Sequence, residues 1–150
     1  MIFLIFSLIL LIAPCEDFGI THKIGCNMRG HIIPEAIAKG CFKPGGDIEY
    51  VNHKLPVGSI LYLQIGFRQD PRKPIKPNCW DWVGNSFNVV HGPYPTYWDR
   101  HGTAKAIIHF NVPHSTPVGS DYYIQSYALY RDIRTSYWAF TNAVIVKIHS

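Results

Sequence analysis

Charge is scarce in this chain. Lys, Arg, Asp and Glu make up 16% of its 150 residues, and no block of Lys or Arg interrupts it. Nucleic-acid-binding modules carry such blocks along one face, so no nucleic-acid partner is expected. The formal net charge of +4 is a mild excess that favours solubility. The densest basic stretch, Arg68 to Lys76, is broken by Pro71 and Pro74 and reads as an extended loop without helix or strand.

Signatures of chemistry are missing too. There is no Gly-x-Ser-x-Gly elbow for a serine nucleophile. No Cys-x-x-Cys or His-x-x-x-His pair offers metal ligands at the usual spacing. No cofactor is expected and no resident metal. No window repeats apolar residues at helical spacing, which argues against amphipathic helices. Internal repeats and low-complexity tracts are absent.

Long apolar runs are absent but for one, Met1 to Ala13. It is shorter than the roughly 20 residues of a bilayer span. It fits the apolar centre of a secretory signal peptide, although no Lys or Arg precedes it. Ala13-Pro14-Cys15 supplies small residues before a cut, so residues 1–15 read as a leader and 16–150 as the mature domain. Lipidation of Cys15 is the alternative, and Pro14 fits that signal poorly. The expected address is secreted, cell-surface or periplasmic, with no integral membrane span in the mature chain.

What is present points to sheet. Hydrophobic residues reach 47%, with nine Tyr, eight Phe and four Trp, the residue types that suit a pleated, half-buried surface. Turn signals recur at Pro44-Gly45-Gly46, Leu55-Pro56-Val57-Gly58, His91-Gly92-Pro93, His101-Gly102 and Pro113 to Gly119. Between them run period-two patterns. Ile48 and Tyr50 share a face, as do Leu61, Leu63 and Ile65. Ala104, Ala106 and Ile108 form another set, then Ile124, Ser126 and Ala128, then Val144, Val146 and Ile148. Cys79 to Val83 and Ser86 to Val90 add two short strands. The prediction is an all-β, single antiparallel β-sandwich of about seven or eight strands, immunoglobulin/fibronectin-III-like.

Export implies an oxidising compartment in which disulfides persist. Of the four cysteines, Cys26 and Cys79 form the favoured bridge. Cys41 is then free, or paired with Cys15 if that residue survives cleavage.

The landmarks also resemble a small secreted β-sandwich domain abundant in planctomycete exported proteins. Gly25-Cys26, Gly30 and Pro34 match its opening, and Gly45-Gly46, Leu55-Pro56-Val57-Gly58 and Gly66-Phe67 its middle. Cys79, the Gly102-x-Ala104 strand into Val112-Pro113, then Gly119, Tyr123, Gln125 and Thr141-Asn142 complete the order. The likeness spans roughly Ile24 to Ile148. It implies a sandwich fold and export, and brings no catalytic motif. Cys41 and the aromatic segment Pro93 to Arg100 depart from the pattern.

Three function classes follow. The first is a non-catalytic extracellular binding or structural module, with a polysaccharide or protein partner. Sugars present apolar C–H faces that stack on Tyr and Trp rings, and Tyr94, Tyr97, Trp98, Asp99 and Arg100 combine rings with polar groups. Trp138, in what reads as another loop, is a sixth candidate. The second is a small secreted hydrolase using Asp81 or Asp99 with His91 or His101. The third is a protein–protein scaffold of an exported assembly, acting through sheet edges. The expectation is that the protein is not an enzyme. For metals, His91, Asp99 and His101 form one weak candidate cluster, and His109 with His114 another.

Overall fold

The alternating runs become strands where the pattern marks them. The computed structural model describes residues 14–67, 69–76, 79–83, 89–99 and 101–150, with 69–76, 79–83 and 89 described as backbone. No helix occurs among them. Two antiparallel sheets pack face to face. The first has the order β1 (Asp17–Phe18), β4 (Glu35–Gly40), β5 (Asp47–Leu55), β11 (Ala104–Asn111), β10 (Tyr97–Trp98).

The second sheet is organised on the long strand β12 (Asp121–Arg131). One side of β12 pairs with β14 (Ala143–Lys147) along its first half and with β13 (Ser136–Phe140) along its second. Outside these lie β2 (Ile20–His22) and β3 (Cys26–Asn27). The other side of β12 pairs with β6 (Ile60–Gly66), which pairs in turn with β9 (Val89–Pro95). Chain order then assigns β5, β6, β9, β10, β11, β12 and β13/β14 to strands B, C, C′, D, E, F and G of an immunoglobulin-type sandwich. Strand β4 is inserted between the first strand and B.

Among the described residues the two sheets hold twelve strand segments, more than the seven or eight expected, in part because single strands are divided. The first is shared between both sheets as β1 and β2, and switches at Gly19. Its N–H donates to Ala38 O at 2.8 Å, and a Cβ there would run into the Val144 side chain. The last strand breaks into β13 and β14 at Thr141-Asn142. Strand β4 escapes the pattern because its inward residues, Ala36 and Ala38, are small.

Further expectations are corrected. The stretch after Arg68 is not strandless: β7 (Gln69–Lys76) pairs with β8 (Cys79–Val83) in a two-stranded ribbon with interrupted register. Both strands of such a ribbon are edges, where proline is tolerated. Strand β8 lies against β12, β6 and β3. His91-Gly92-Pro93 is not a turn but part of β9, where Gly92 at φ 125° sits at a register shift against Leu61/Leu63. Residues 1–13, 68, 77–78, 84–88 and 100 lie outside the described residues, and with them the expected leader except Pro14 and Cys15, and the expected Ser86 to Val90 strand except its last two residues.

The core carries the predicted faces. Ile48, Tyr50, Leu61, Leu63, Ile124, Val144 and Val146 are buried, each worth about 1.5–3 kcal/mol for an aliphatic side chain. A polar seam runs through it. The Ser126 hydroxyl of β12 donates to the Tyr50 hydroxyl of β5 at 2.9 Å, joining the two sheets. Burial pushes the Tyr50 phenol up to about 12, against the lowering effect of hydrogen bonds with Ser126 and Thr141. Thr141 Oγ1 accepts from Ser126 N at 3.0 Å, and Gln125 Nε2 donates to Thr141 O at 3.0 Å. Asn142 crosses to the first sheet: its Oδ1 accepts from Ala36 N at 2.9 Å and its Nδ2 donates to Ala36 O at 3.0 Å. Thus β4, which β1 covers only at Lys39 and Gly40, has its remaining edge sealed by a side chain.

Cys15 is bonded to Cys41, with Cα atoms 5.1 Å apart and a sequence separation of 26. Of the two fates open to Cys41, the structure gives pairing. Cys26 is also disulfide-bonded. The side chain of Cys79, its expected partner, lies outside the described residues.

Candidate functional site

A β-bulge shapes an open site on the outer face of the first sheet. Ala104 pairs with Leu55 and Ala106 with Asn52, so His53 and Lys54 of β5 together face Lys105 of β11. Lys54 takes a left-handed φ of 57° there. Bulges of this kind bend a strand and re-aim its side chains. Lys54 Nζ is turned onto Glu35 Oε1 of β4, 3.2 Å away. Glu35 is itself the cross-strand partner of His53.

The next strand outward is β10. The Thr96 hydroxyl donates to Ser59 O at 2.7 Å and ties its start to the second sheet. After it, Asp99 N donates to Thr103 O at 2.8 Å and Asp99 Oδ1 accepts from His101 N at 2.8 Å. Gly102 closes this loop at φ 73°. The short turn pins β10 to β11 in the register Tyr97↔Lys105 and Trp98↔Ala104.

Directly paired residues share a face. Tyr97 therefore projects with Lys105 to the outer surface, and Trp98 to the side of the buried Ala104. Both rings stay exposed, 62% for Tyr97 and 71% for Trp98, because β10 is a two-residue edge strand. On the Tyr97 face lies an open groove of about 600 Å³, within the size range of small-ligand sites. His31, Glu35, His53 and Lys54 line one part of it, and Asp99, His101 and Thr103 another.

The predicted site residues thus separate. Asp99 lines the groove, Tyr97 stands on the same sheet face without lining it, and Trp98 faces the other way. Tyr94 is half-buried against the core, where it shares a face with Leu61. Arg100 lies outside the described residues. Trp138 is on strand β13, not in a loop, and packs in the second sheet against Tyr62, Tyr127 and Phe140 at ring distances of 6.1, 6.0 and 6.5 Å. The sequence reading missed His31, Glu35, His53, Lys54 and Thr103. Nothing in their local patterns marks them, since the fold gathers them from three separate segments.

For the hydrolase reading, Asp99 and His101 share the groove, whereas His91 lines a different cleft and the Asp81 side chain lies outside the described residues. The three-residue metal candidate does not assemble. Among the described residues, Cys15, Asp17 and His149 are the group whose ligand atoms lie within 4.8 Å of one another. His91, Asp99 and His101 do not converge in this way.

The Cys15 cluster is structural. His149 Nε2 lies 2.7 Å from Asp17 Oδ2, which also accepts from Phe42 N at 2.8 Å. Desolvation acts to raise the Asp17 carboxyl, but the Phe42 N–H, the His149 bond and charge, and Lys43 outweigh it and hold it below the usual range. The same bond to Asp17, helped by Ser150 O, raises the His149 imidazole.

As for sheet edges, β9 carries Pro93 and Pro95, which lack the N–H needed for strand addition. No helix among the described residues is long and apolar enough to cross a membrane. Comparison with protein-family models, curated proteins and solved structures gives no match to this chain.

Proposed function

We propose that this protein is a non-catalytic extracellular recognition module that binds a polysaccharide in the groove beside Tyr97. One observation carries the reading: an exposed tyrosine ring stands on the same sheet face as an open groove lined by His, Lys, Glu and Asp side chains together with Ile32 and Ile33. Sugars need this pairing of a flat apolar face with hydrogen-bonding neighbours. The groove offers donors in Lys54 and the three imidazoles, and acceptors in Glu35 and Asp99. Both carboxylates already have partners, Lys54 for Glu35 and the His101 N–H for Asp99. That supports recognition over hydrolysis. The disulfides fit an exported domain.

The test is binding of the oxidised protein to a broad polysaccharide panel. Retention by at least one polymer, released by its own soluble oligosaccharide, supports the reading. Failure of the folded protein to bind any polymer removes it.

A further inference from the structure

The Cys15–Cys41 bridge sits in the group of metal-type ligand atoms that the fold gathers at its termini. Cys15 Sγ lies 3.5 Å from Asp17 Oδ2, which lies 2.7 Å from His149 Nε2. With the bridge closed, this cluster ties the chain ends together. Sulfur ligates metals as the thiolate, so the closed bridge supplies no good donor. Opened, it supplies two.

The frame of the cluster does not depend on the bridge. Asp17 pairs with Gly40 in the β1–β4 ladder. Phe42 N donates to Asp17 Oδ2 at 2.8 Å, and His149 N donates to Phe42 O at 2.9 Å. Cys41 N donates to Asp47 O at 2.8 Å. None of these bonds involves sulfur, so reduction leaves them in place.

Donor type and spacing select the metal. Two thiolates, an imidazole and a carboxylate make a four-donor set that suits tetrahedral Zn²⁺. With metal–ligand bonds of ~2.0–2.3 Å, tetrahedral ligand atoms stand roughly 3.3–3.8 Å apart. The Cys15 Sγ to Asp17 Oδ2 separation already falls in that range. The Asp17–His149 pair opens from 2.7 Å as the metal replaces the proton between them. His149 Nδ1–H can donate to Ser150 O, 3.1 Å away, which leaves the Nε2 lone pair for the metal. Zn²⁺ with three anionic ligands keeps one negative charge, and Lys43 is close enough to act on both Asp17 and His149. His149 is exposed, which gives the ion a way in.

We infer that reduced Cys15 and Cys41, with Asp17 and His149, form a zinc site, so that disulfide and metal are alternative clasps on the chain ends. A dithiol reductant opens the clasp. The S–S bond breaks, two electrons and two protons pass to Cys15 and Cys41, and the reductant closes its own disulfide. Zn²⁺ then binds, and both thiol protons leave to solvent. The site is separate from the Tyr97 groove, and neither reading depends on the other.

The probe is Co²⁺, added to the full chain after reduction by a phosphine. The expected result is one Co²⁺ per chain, with the strong visible absorption of tetrahedral cobalt and a near-ultraviolet thiolate band. One equivalent of Zn²⁺ should bleach both, and the oxidised chain should show neither. Asp17→Asn, which keeps an acceptor for Phe42 N, and His149→Ala should each weaken Co²⁺ binding about tenfold or more. Cys15→Ser should lose the two-thiolate spectrum although Cys26 and Cys79 remain. The inference is overturned if the reduced chain, folded or not, gives no tetrahedral cobalt spectrum. It is overturned equally if the oxidised chain gives the same spectrum, if Cys15→Ser retains it, or if Asp17→Asn and His149→Ala bind as tightly as the wild type.

Discussion

The Ser126 hydroxyl donates to the fully buried Tyr50 hydroxyl at 2.9 Å, and this bond joins strands β12 and β5 across the middle of the sandwich. In immunoglobulin domains the same two strands, F and B, are joined by a disulfide. Here a hydrogen bond does that work, beside the Thr141 and Asn142 contacts. Tyr50→Phe should destabilise the fold by about 1–2 kcal/mol, since Ser126 is left with an unmet donor in the core. In urea unfolding, Ser126→Ala and the double variant complete a cycle. A coupling near zero would mean that the two hydroxyls do not act together.

The same tyrosine sets an alkaline limit. Its folded pKa is raised to about 12 from the ordinary 10.0, so the unfolded chain ionises first. Stability is complete below pH 10 and falls as pH rises from there towards 12, by up to about 3 kcal/mol. Tyr50→Phe removes this part of the loss. Equal alkaline slopes for variant and wild type would contradict it.

Asn142 acts as a strand substitute for Ala36, meeting both its N–H and its C=O. Asn142→Leu leaves two buried backbone groups unpaired, at a cost of about 2–4 kcal/mol. Hydrogen exchange at the Ala36 amide should quicken along with the fall in urea midpoint. Unchanged exchange there would contradict the assignment.

These seam residues mark how far the sequence could be read. Alternation identified the faces of β5, β6, β11, β12 and β14, because large apolar residues repeat there at period two. It missed β4, whose inward positions are alanines. It also missed the inter-sheet bonds, because the partners of Ser126, Thr141 and Asn142 lie on strands distant in sequence and no local pattern names them. The resemblance motif did contain Gln125 and Thr141-Asn142, and the structure gives these a reason in packing rather than in catalysis. The groove was half legible. Tyr97 and Asp99 stand out as a run, but Glu35, His53 and Lys54 join Asp99 at the groove from other strands, and the bulge in β5 falls at a lysine, where no glycine signals the left-handed φ.

The termini are linked through Asp17 and His149, and this contact depends on pH at both ends. The raised His149 pKa gives stability that is complete below the ordinary value of 6.5 and is lost as pH rises through the folded value. The lowered Asp17 pKa gives stability that is present above 3.8 and is lost as pH falls through the folded value. The ion pair therefore contributes most between about pH 4 and 6.5. Melting curves of Asp17→Asn should lose the difference between pH 5.5 and 8 that the wild type shows. A difference of the same size in the variant would assign it to other groups.

The Cys15–Cys41 bridge bears on processing. It closes a loop with a sequence separation of 26, which corresponds to about 3–4 kcal/mol in the loop-entropy model. An exported mature chain that keeps this stability must keep Cys15, so a leader cut should fall before it rather than after. Intact mass of the secreted protein decides this. A mature chain starting at Glu16, with Cys41 as a free thiol, would contradict the assignment.

The central claim is that the Tyr97 face of the first sheet recognises a glycan. It is tested most directly by the affinity of one bound oligosaccharide for the wild type, Tyr97→Ala and Trp98→Ala. Strand alternation puts Tyr97 on the sheet face that carries the groove and Trp98 on the opposite face. Tyr97→Ala should weaken binding by about tenfold or more, and Trp98→Ala by no more than about twofold, with both variants folded. Equal losses for the two variants, or none for Tyr97→Ala, would contradict the account.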